Sequence, residues 1–275
     1  MREGKDVPTS RIGDLEMVWD VAGAPNAEPV LMINGLGASR AGWALQVPAL
    51  AETFRVFTFD NRDVGQTGAG SLESYPISQF ALDAIGLVET LEIGPVHLIG
   101  ASMGGAIAQE FALVRPDLTR SLQIVCSWAR TDPYLAELMQ GWSDMFSAMG
   151  REAWSRNTWL WVYTHRWFMN PENHANAARE AAADPYPQSA EMFARQCGAI
   201  LAFDALDRLP LVSVPTQIVA GAEDVLTPPR YSAEIASAIP GASYVLLPEV
   251  GHGMFWEATD RFNESLVQFI VRSRT

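Results

Sequence analysis

Ser102, Asp224 and His252 are of the types that, brought together, carry out nucleophilic acyl transfer. Ser102 lies in Gly100-Ala101-Ser102-Met103-Gly104, a G-x-S-x-G run. Asp224 lies in G-A-E-D-V-L-T-P at 221–228, and His252 in P-E-V-G-H-G at 248–253. A serine hydroxyl is a weak nucleophile until a neighbouring base takes its proton. A neutral imidazole serves as that base near neutral pH, with an acid limb expected at a pKa of about 6 to 7. An aspartate behind the imidazole fixes its tautomer and stabilises the imidazolium. The chain order Ser, Asp, His is one in which this trio recurs.

Each of the three has rivals. His97 falls inside an apolar run, and His165 and His174 fall in a helical region. Only His252 sits between glycines after the last strand pattern, where a loop is expected. Glu223 and Asp132 compete with Asp224 as the acid; Glu223 would point differently, and Asp132 lies several residues beyond its strand. Loop position favours Asp224. For Ser102, the plain alternative is a helix-capping serine in a glycine-rich turn.

The elements around these residues set their direction. Val96 to Ile99 reads as a short buried strand, and Met103 to Val114 as a helix ending before Pro116. A strand that turns directly into a helix at a serine lifts the hydroxyl above the sheet edge. Such a turn needs small residues two places either side, which Gly100 and Gly104 supply. It leaves the Met103 N–H free at a helix N-terminus, where developing negative charge is favoured. A second such donor is expected in Asn34-Gly35-Leu36-Gly37, after the strand Val30 to Ile33, and is assigned to the Leu36 N–H.

The other strands are expected at Leu15 to Val21 in an N-terminal hairpin, Arg55 to Phe59, Ser121 to Cys126, Thr216 to Ala220 and Ser243 to Leu247. Helices are expected at Ala41 to Glu52, Ser78 to Glu92, Pro229 to Ile239 and Thr259 to Val271. The charged loop Asp60 to Gly68 is expected to hold a structural Arg62–Asp63 network. From Trp128 to Asp204 the strand rhythm stops. That region is helical in propensity, broken at Gly150, Pro171, Pro185 and Pro187, and holds Trp128, Trp142, Trp154, Trp159, Trp161 and Trp167. It reads as a lid, with one or two of its tryptophans expected to line a pocket. Asn34, Trp128 and Trp159 are the candidate substrate-binding side chains. The domain plan is a core of residues 1–127 and 207–275 with a helical cap at 128–206.

Composition excludes several classes. At 275 residues, 48% of them hydrophobic, the chain can bury a large α/β core. A net charge of −13 with scattered basic residues argues against nucleic acid or an anionic membrane as partner. Cys126 and Cys197, the two cysteines, make no metal or disulfide framework and read as buried thiols. The first residues lack an apolar signal core, and no uncharged run reaches membrane-spanning length, so a cytoplasmic protein is expected. Nothing in the composition opposes a homo-oligomer.

N-G-L-G at 34–37, G-A-S-M-G-G at 100–105, G-A-E-D-V-L-T-P at 221–228 and G-H at 251–252 together resemble the α/β-hydrolase superfamily over essentially the whole chain. Asn34, where that family usually has histidine, is similar to the 3-oxoadipate enol-lactonases and related small carboxylesterases. The resemblance implies an α/β fold with an eight-stranded, mostly parallel sheet flanked by helices, and a helical cap inserted after strand six. It also implies hydrolysis with no metal and no organic cofactor. The expected activity is that of a serine hydrolase of a small ester or lactone. Carbon–carbon bond hydrolysis of a ring-cleavage product and cofactor-free perhydrolase (haloperoxidase) chemistry would use the same trio. A non-catalytic ligand-binding module on the same fold is the alternative outside enzymology.

Overall fold

The computed structural model describes residues 7–274. The strands are β1 (Thr9–Ile12), β2 (Leu15–Ala22), β3 (Pro29–Ile33), β4 (Arg55–Phe59), β5 (Val96–Ala101), β6 (Thr119–Val125), β7 (Thr216–Gly221) and β8 (Ser243–Leu247). Among the described residues they form one eight-stranded sheet in the order β1-β2-β4-β3-β5-β6-β7-β8. β1 and β2 pair antiparallel, as do β2 and β4. Every pairing from β4 to β8 is parallel.

Parallel strands buried on both faces should read as continuous apolar runs, and β3 (PVLMI) and β5 (VHLIGA) do. Alternate residues serve opposite faces. Leu31, Ile33, Leu98 and Ile218 join the core beneath α2 (Ile77–Thr90), α3 (Met103–Val114) and α8 (Pro229–Ala238). Val30, Met32, Ile99 and Val219 face the other way, against α1 (Val47–Ala51), the short α9 (Met254–Glu257) and α10 (Thr259–Arg272).

Between β6 and β7 lies a helical insert. It comprises α4 (Pro133–Val162), α5 (His165–Phe168), α6 (Pro171–Ala182) and α7 (Ala190–Leu201). α4 is two helical stretches meeting at Gly150, whose φ of 80° leaves the helical region. No helix among the described residues is long and apolar enough to cross a membrane.

Two expectations need correction. The helix expected from Ala41 to Glu52 is a 3-10 turn at Arg40–Trp43 followed by α1 alone. Pro48 lacks an N–H and sits in the first turn of α1, where that loss is tolerated, so a helix could not run through it from Ala41. The loop at 60–68 is structural, but Arg62 and Asp63 do not pair with each other. Arg62 binds Asp83 through Nε at 2.6 Å and Nη2 at 2.8 Å. Asp63 takes two bonds from Arg195 of the insert, at 2.7 and 2.8 Å, and one from the Tyr75 hydroxyl. Neighbouring residues in a tight turn point apart, so each charge finds its partner elsewhere in the chain.

Candidate active site

The tight turn between β5 and α3 forces its own geometry on Ser102. Its φ is 55° and its ψ is −122°, a conformation that costs a non-glycine residue on the order of 1–3 kcal/mol. A Cβ on Gly100 would stand 2.2 Å from the Gly104 carbonyl oxygen. One on Gly104 would stand 2.1 Å from that of Ile33. Both positions therefore require glycine. The strained turn is held from β6 and the residues after it: Ser102 N–H donates to the Val125 carbonyl at 2.8 Å, and Ser127 Oγ donates to the Ser102 carbonyl at 2.8 Å.

Asp224 and His252 follow β7 and β8, neighbours at the same edge of the sheet. Their loops are joined by Ala222 N–H to Leu247 O and Glu223 N–H to Val250 O, each 2.9 Å. His252 Nδ1 lies 2.8 Å from Asp224 Oδ2. A carboxylate accepts only, so Nδ1 carries the proton, and in the neutral imidazole Nε2 keeps its lone pair. The other carboxylate oxygen, Oδ1, accepts the N–H groups of Leu226 and Thr227 at 2.9 Å each. The Thr227 hydroxyl lies 3.0 Å from both Asp224 Oδ2 and His252 Nδ1 and donates to the Cys126 carbonyl at 2.8 Å. The acid is thus fixed on every side. His252 Nε2 faces Cys126 Sγ at 3.9 Å. Among the described residues no hydrogen bond joins it to Ser102.

Burial by itself would disfavour the imidazolium of His252, and negative charge on Cys126 or Asp224 beside it favours the imidazolium and raises its pKa above the ordinary histidine value. Burial pushes the Cys126 thiol up and keeps it neutral, so near pH 7 only the Asp224 part of that upward pull acts on His252. Cys126, Asp224 and His252 are the one group of three metal-ligating side chains among the described residues, their ligand atoms all within 4.8 Å of one another. His252 and Asp224 already spend the facing atoms on each other.

The turn at 34–37 packs directly on the serine; a Cβ at Gly35 would lie 3.1 Å from Ser102 Cβ. Asn34 shapes this turn: its Oδ1 accepts Gly35 N–H at 2.9 Å and its Nδ2 donates to Ser39 O at 2.8 Å. Asn34 borders the cavity with an amide already engaged by its own loop. Leu36 lines the same cavity. Met103, fully buried, is the first residue of α3, so its N–H has no acceptor within the helix.

Ser102 and His252 open on a cavity of about 260 Å³. The insert closes it with Trp128, Trp142, Trp154 and Trp159. Four of the six tryptophans named from the sequence line it, rather than one or two. Trp142, Trp154, Phe146 and Phe193 form a mostly edge-to-face aromatic cluster, so the two tryptophans are at once part of the insert's own core and of the cavity wall. Trp128 is fixed by its Nε1–H on Thr131 Oγ1 at 3.0 Å, and Trp159 by its edge contact with His174 at 5.2 Å.

The rivals lie elsewhere. Asp132 caps α4 by accepting Leu135 N–H at 2.9 Å and pairs with Arg230 at 3.3 Å. His97 is buried in β5 with Nδ1 on Ser121 Oγ at 2.8 Å, and burial pushes its pKa down to about 4. Residues that the sequence reading missed hold the site together. Gln196 of α7 accepts Gly37 N–H at 3.0 Å and donates to Arg62 O at 2.8 Å. Thr227 stood within the quoted G-A-E-D-V-L-T-P motif, three residues from Asp224, and was the one of these with a local signal.

A family model described as the alpha/beta hydrolase fold matches residues 28–259. A candidate carbamate hydrolase, RutD, of Azorhizobium caulinodans is 31% identical over 265 residues, 96% of this chain and 98% of its own. The solved enol-lactonase of Burkholderia xenovorans superimposes with a TM-score of 0.87 at 28% identity, over 96% of this chain and all of that one. A thermophilic esterase from Thermogutta terrifontis, solved with malate bound, gives a TM-score of 0.84 at 25% identity, over 98% of each chain.

Proposed function

We propose that this chain, which belongs to the α/β-hydrolase fold family, is a serine hydrolase of a small, partly apolar ester or lactone that works through an acyl-enzyme on Ser102. One observation carries the reading. A serine held at φ 55° and an imidazole bonded to a buried aspartate at 2.8 Å open on the same tryptophan-walled cavity.

In this mechanism Ser102 Oγ attacks the carbonyl carbon and its proton passes to His252 Nε2. The carbonyl oxygen becomes an oxyanion and is met by the Leu36 and Met103 N–H groups. The imidazolium then gives its proton to the departing alkoxide, which leaves an ester or stays tethered by the acyl chain in a lactone. Water, deprotonated by His252, releases the acid and restores the serine. The catalytic hydrogen bond between serine and histidine forms in the substrate complex. Asp224 keeps Nδ1 protonated throughout. Residues 128–206 act as the cap that selects the acyl group above a core of 1–127 and 207–275. A cavity of about 260 Å³ fits a compact substrate rather than a long acyl chain.

A carbamate is the second reading, supported by the RutD relatives at about 30% identity. Its carbonyl would enter the same oxyanion site, with nitrogen beside it. The test is covalent labelling of Ser102 by a fluorophosphonate, followed by rates on p-nitrophenyl esters from acetate to palmitate beside a small lactone and a carbamate ester. Labelling with a steep loss of rate as the acyl chain lengthens is expected. No labelling, or preference for palmitate, would overturn the proposal; a dominant rate on the carbamate would select the second reading.

A further inference from the structure

The loop that carries His252 is fastened to the helical insert as well as to the sheet. Glu257, at the end of α9, accepts the Gly251 N–H on Oε2 at 2.8 Å. Its Oε1 accepts both the N–H and the hydroxyl of Thr164, at 2.8 and 2.6 Å. Beside it the Gly253 N–H donates to the Val162 carbonyl at 2.7 Å. The residues immediately before and after His252 are therefore each tied to the segment Val162–Thr164, where α4 ends. Their being glycine follows from that contact. A Cβ on Gly253 would stand 2.7 Å from the Tyr163 ring, and one on Gly251 would stand 3.0 Å from the Val162 carbonyl oxygen.

Val162 and Tyr163 also line the substrate cavity, whereas Glu257 does not. A chain of contact thus runs from the cavity wall, through Thr164 and Glu257, to the backbone next to His252. An ionised carboxylate accepts several bonds at once, and bonds to a charged acceptor are stronger than neutral ones. Glutamate is suited to such a junction because it holds both segments with one rigid group.

We propose that Glu257 is a positioning residue that makes the placement of the His252 imidazole depend on the seating of Val162–Thr164. The inference rests on His252 acting as the base. Seating a substrate against Val162 and Tyr163 then steadies the base in the same event. Glu257 touches no reacting atom; it acts through the Gly251 backbone.

The experiment compares Glu257→Gln, Glu257→Ala and Thr164→Val with Arg166→Gln. Arg166 of α5, two residues past Thr164, joins the insert to the loop of His252 through an exposed ion pair with Glu249 at 2.7 Å, a kind of contact worth little. Three readouts are taken: kcat and KM on p-nitrophenyl acetate, the far-downfield proton resonance of His252 Nδ1–H, and thermal melting. Glu257→Ala is expected to lower kcat about ten- to a hundredfold with KM nearly unchanged, the scale of a slightly misplaced catalytic group. Glu257→Gln keeps one acceptor oxygen and is expected to recover part of that loss. The His252 resonance should broaden in the same order and stay sharp in Arg166→Gln. Unchanged kcat and an unchanged resonance in Glu257→Gln and Glu257→Ala would overturn the proposal, as would losses that only track the unfolded fraction. Should Glu257→Ala not fold, the near-isosteric Gln variant and Thr164→Val decide. A wild type that shows the resonance but hydrolyses nothing would sink the hydrolase reading, while the resonance in the variants still decides the role of Glu257.

Discussion

Cys126 Sγ stands 3.9 Å from Nε2 of His252, the nitrogen through which a histidine base would take a serine proton. Burial keeps this sulfur a neutral thiol, a weak hydrogen-bond partner that leaves the lone pair available to Ser102. Cys126→Ala should therefore leave kcat nearly unchanged. Cys126→Ser places a stronger donor at the same nitrogen and should lower kcat by about tenfold, the scale of one net hydrogen bond. Steady-state rates of the two variants check this; equal rates would mean that the residue at 126 does not compete for Nε2.

Ser102→Ala should cut kcat by at least about a thousandfold and abolish fluorophosphonate labelling. The fold should persist, since alanine is no more strained than serine at the observed φ of 55°. Circular dichroism and esterase rate, measured on one sample, separate lost chemistry from lost structure.

The two candidate acids should separate sharply. Asp224→Asn leaves His252 in the wrong tautomer and should slow turnover by about a thousandfold or more. Asp132→Asn should be mild, because asparagine also caps a helix and the Arg230 pair it would lose is largely exposed. Comparable losses in the two variants, or the reverse ranking, would move the acid to the loop after β6.

Because Asp224 raises the His252 pKa, the imidazole stays charged to higher pH than an ordinary histidine. A base must be neutral, so kcat/KM should rise with pH through an apparent pKa above about 6.5, at the upper end of or beyond the range of about 6 to 7 expected from the sequence. The linked stability has the opposite sense. A raised folded-state pKa stabilises the fold fully below about 6.5, and that contribution is lost as pH rises through the folded value. A pH–rate profile with chemistry rate-limiting, beside urea melts over the same range, measures both. A rate flat across that range would count against a histidine base.

Arg62 is buried on Asp83 by two hydrogen bonds at 2.6 and 2.8 Å. Removing one partner of such a pair leaves a bare buried charge and costs about 3–5 kcal/mol. Arg62→Gln should lower unfolding stability by that order in urea, while the His252–Asp224 pair, to which Arg62 makes no bond, is left intact.

The candidate catalytic residues were legible because their signals are local. The G-x-S-x-G turn, the acid just past β7 and the histidine just past β8 each lie within a few residues of a strand end, and the parallel sheet brings those ends to one edge. The supports were not legible because they join distant parts of the chain. Thr164 and Glu257 are 93 residues apart, and Gly37 and Gln196 are 159 apart. The charges at 62 and 63 misled for the same reason: adjacency suggested a pair, but the buried partners Asp83 and Arg195 come from other elements. The tryptophans were undercounted at the cavity because a ring packed in a small helical insert can serve as its core and its inner wall together.

The footing of α7 on the turn at 60–68 bears on how such proteins can be recombined. Asp63 is almost wholly covered, and its cation is supplied from the insert by Arg195; the next residue, Gln196, holds Gly37. A chimera that received a foreign insert without an arginine and a glutamine at those two adjacent places would carry a stranded carboxylate in its core. It would also carry a loosened turn beside the serine, before any new wall had met a substrate. Grafting for altered selectivity therefore has to move α7 and the 60–68 turn together, as one transplantable unit.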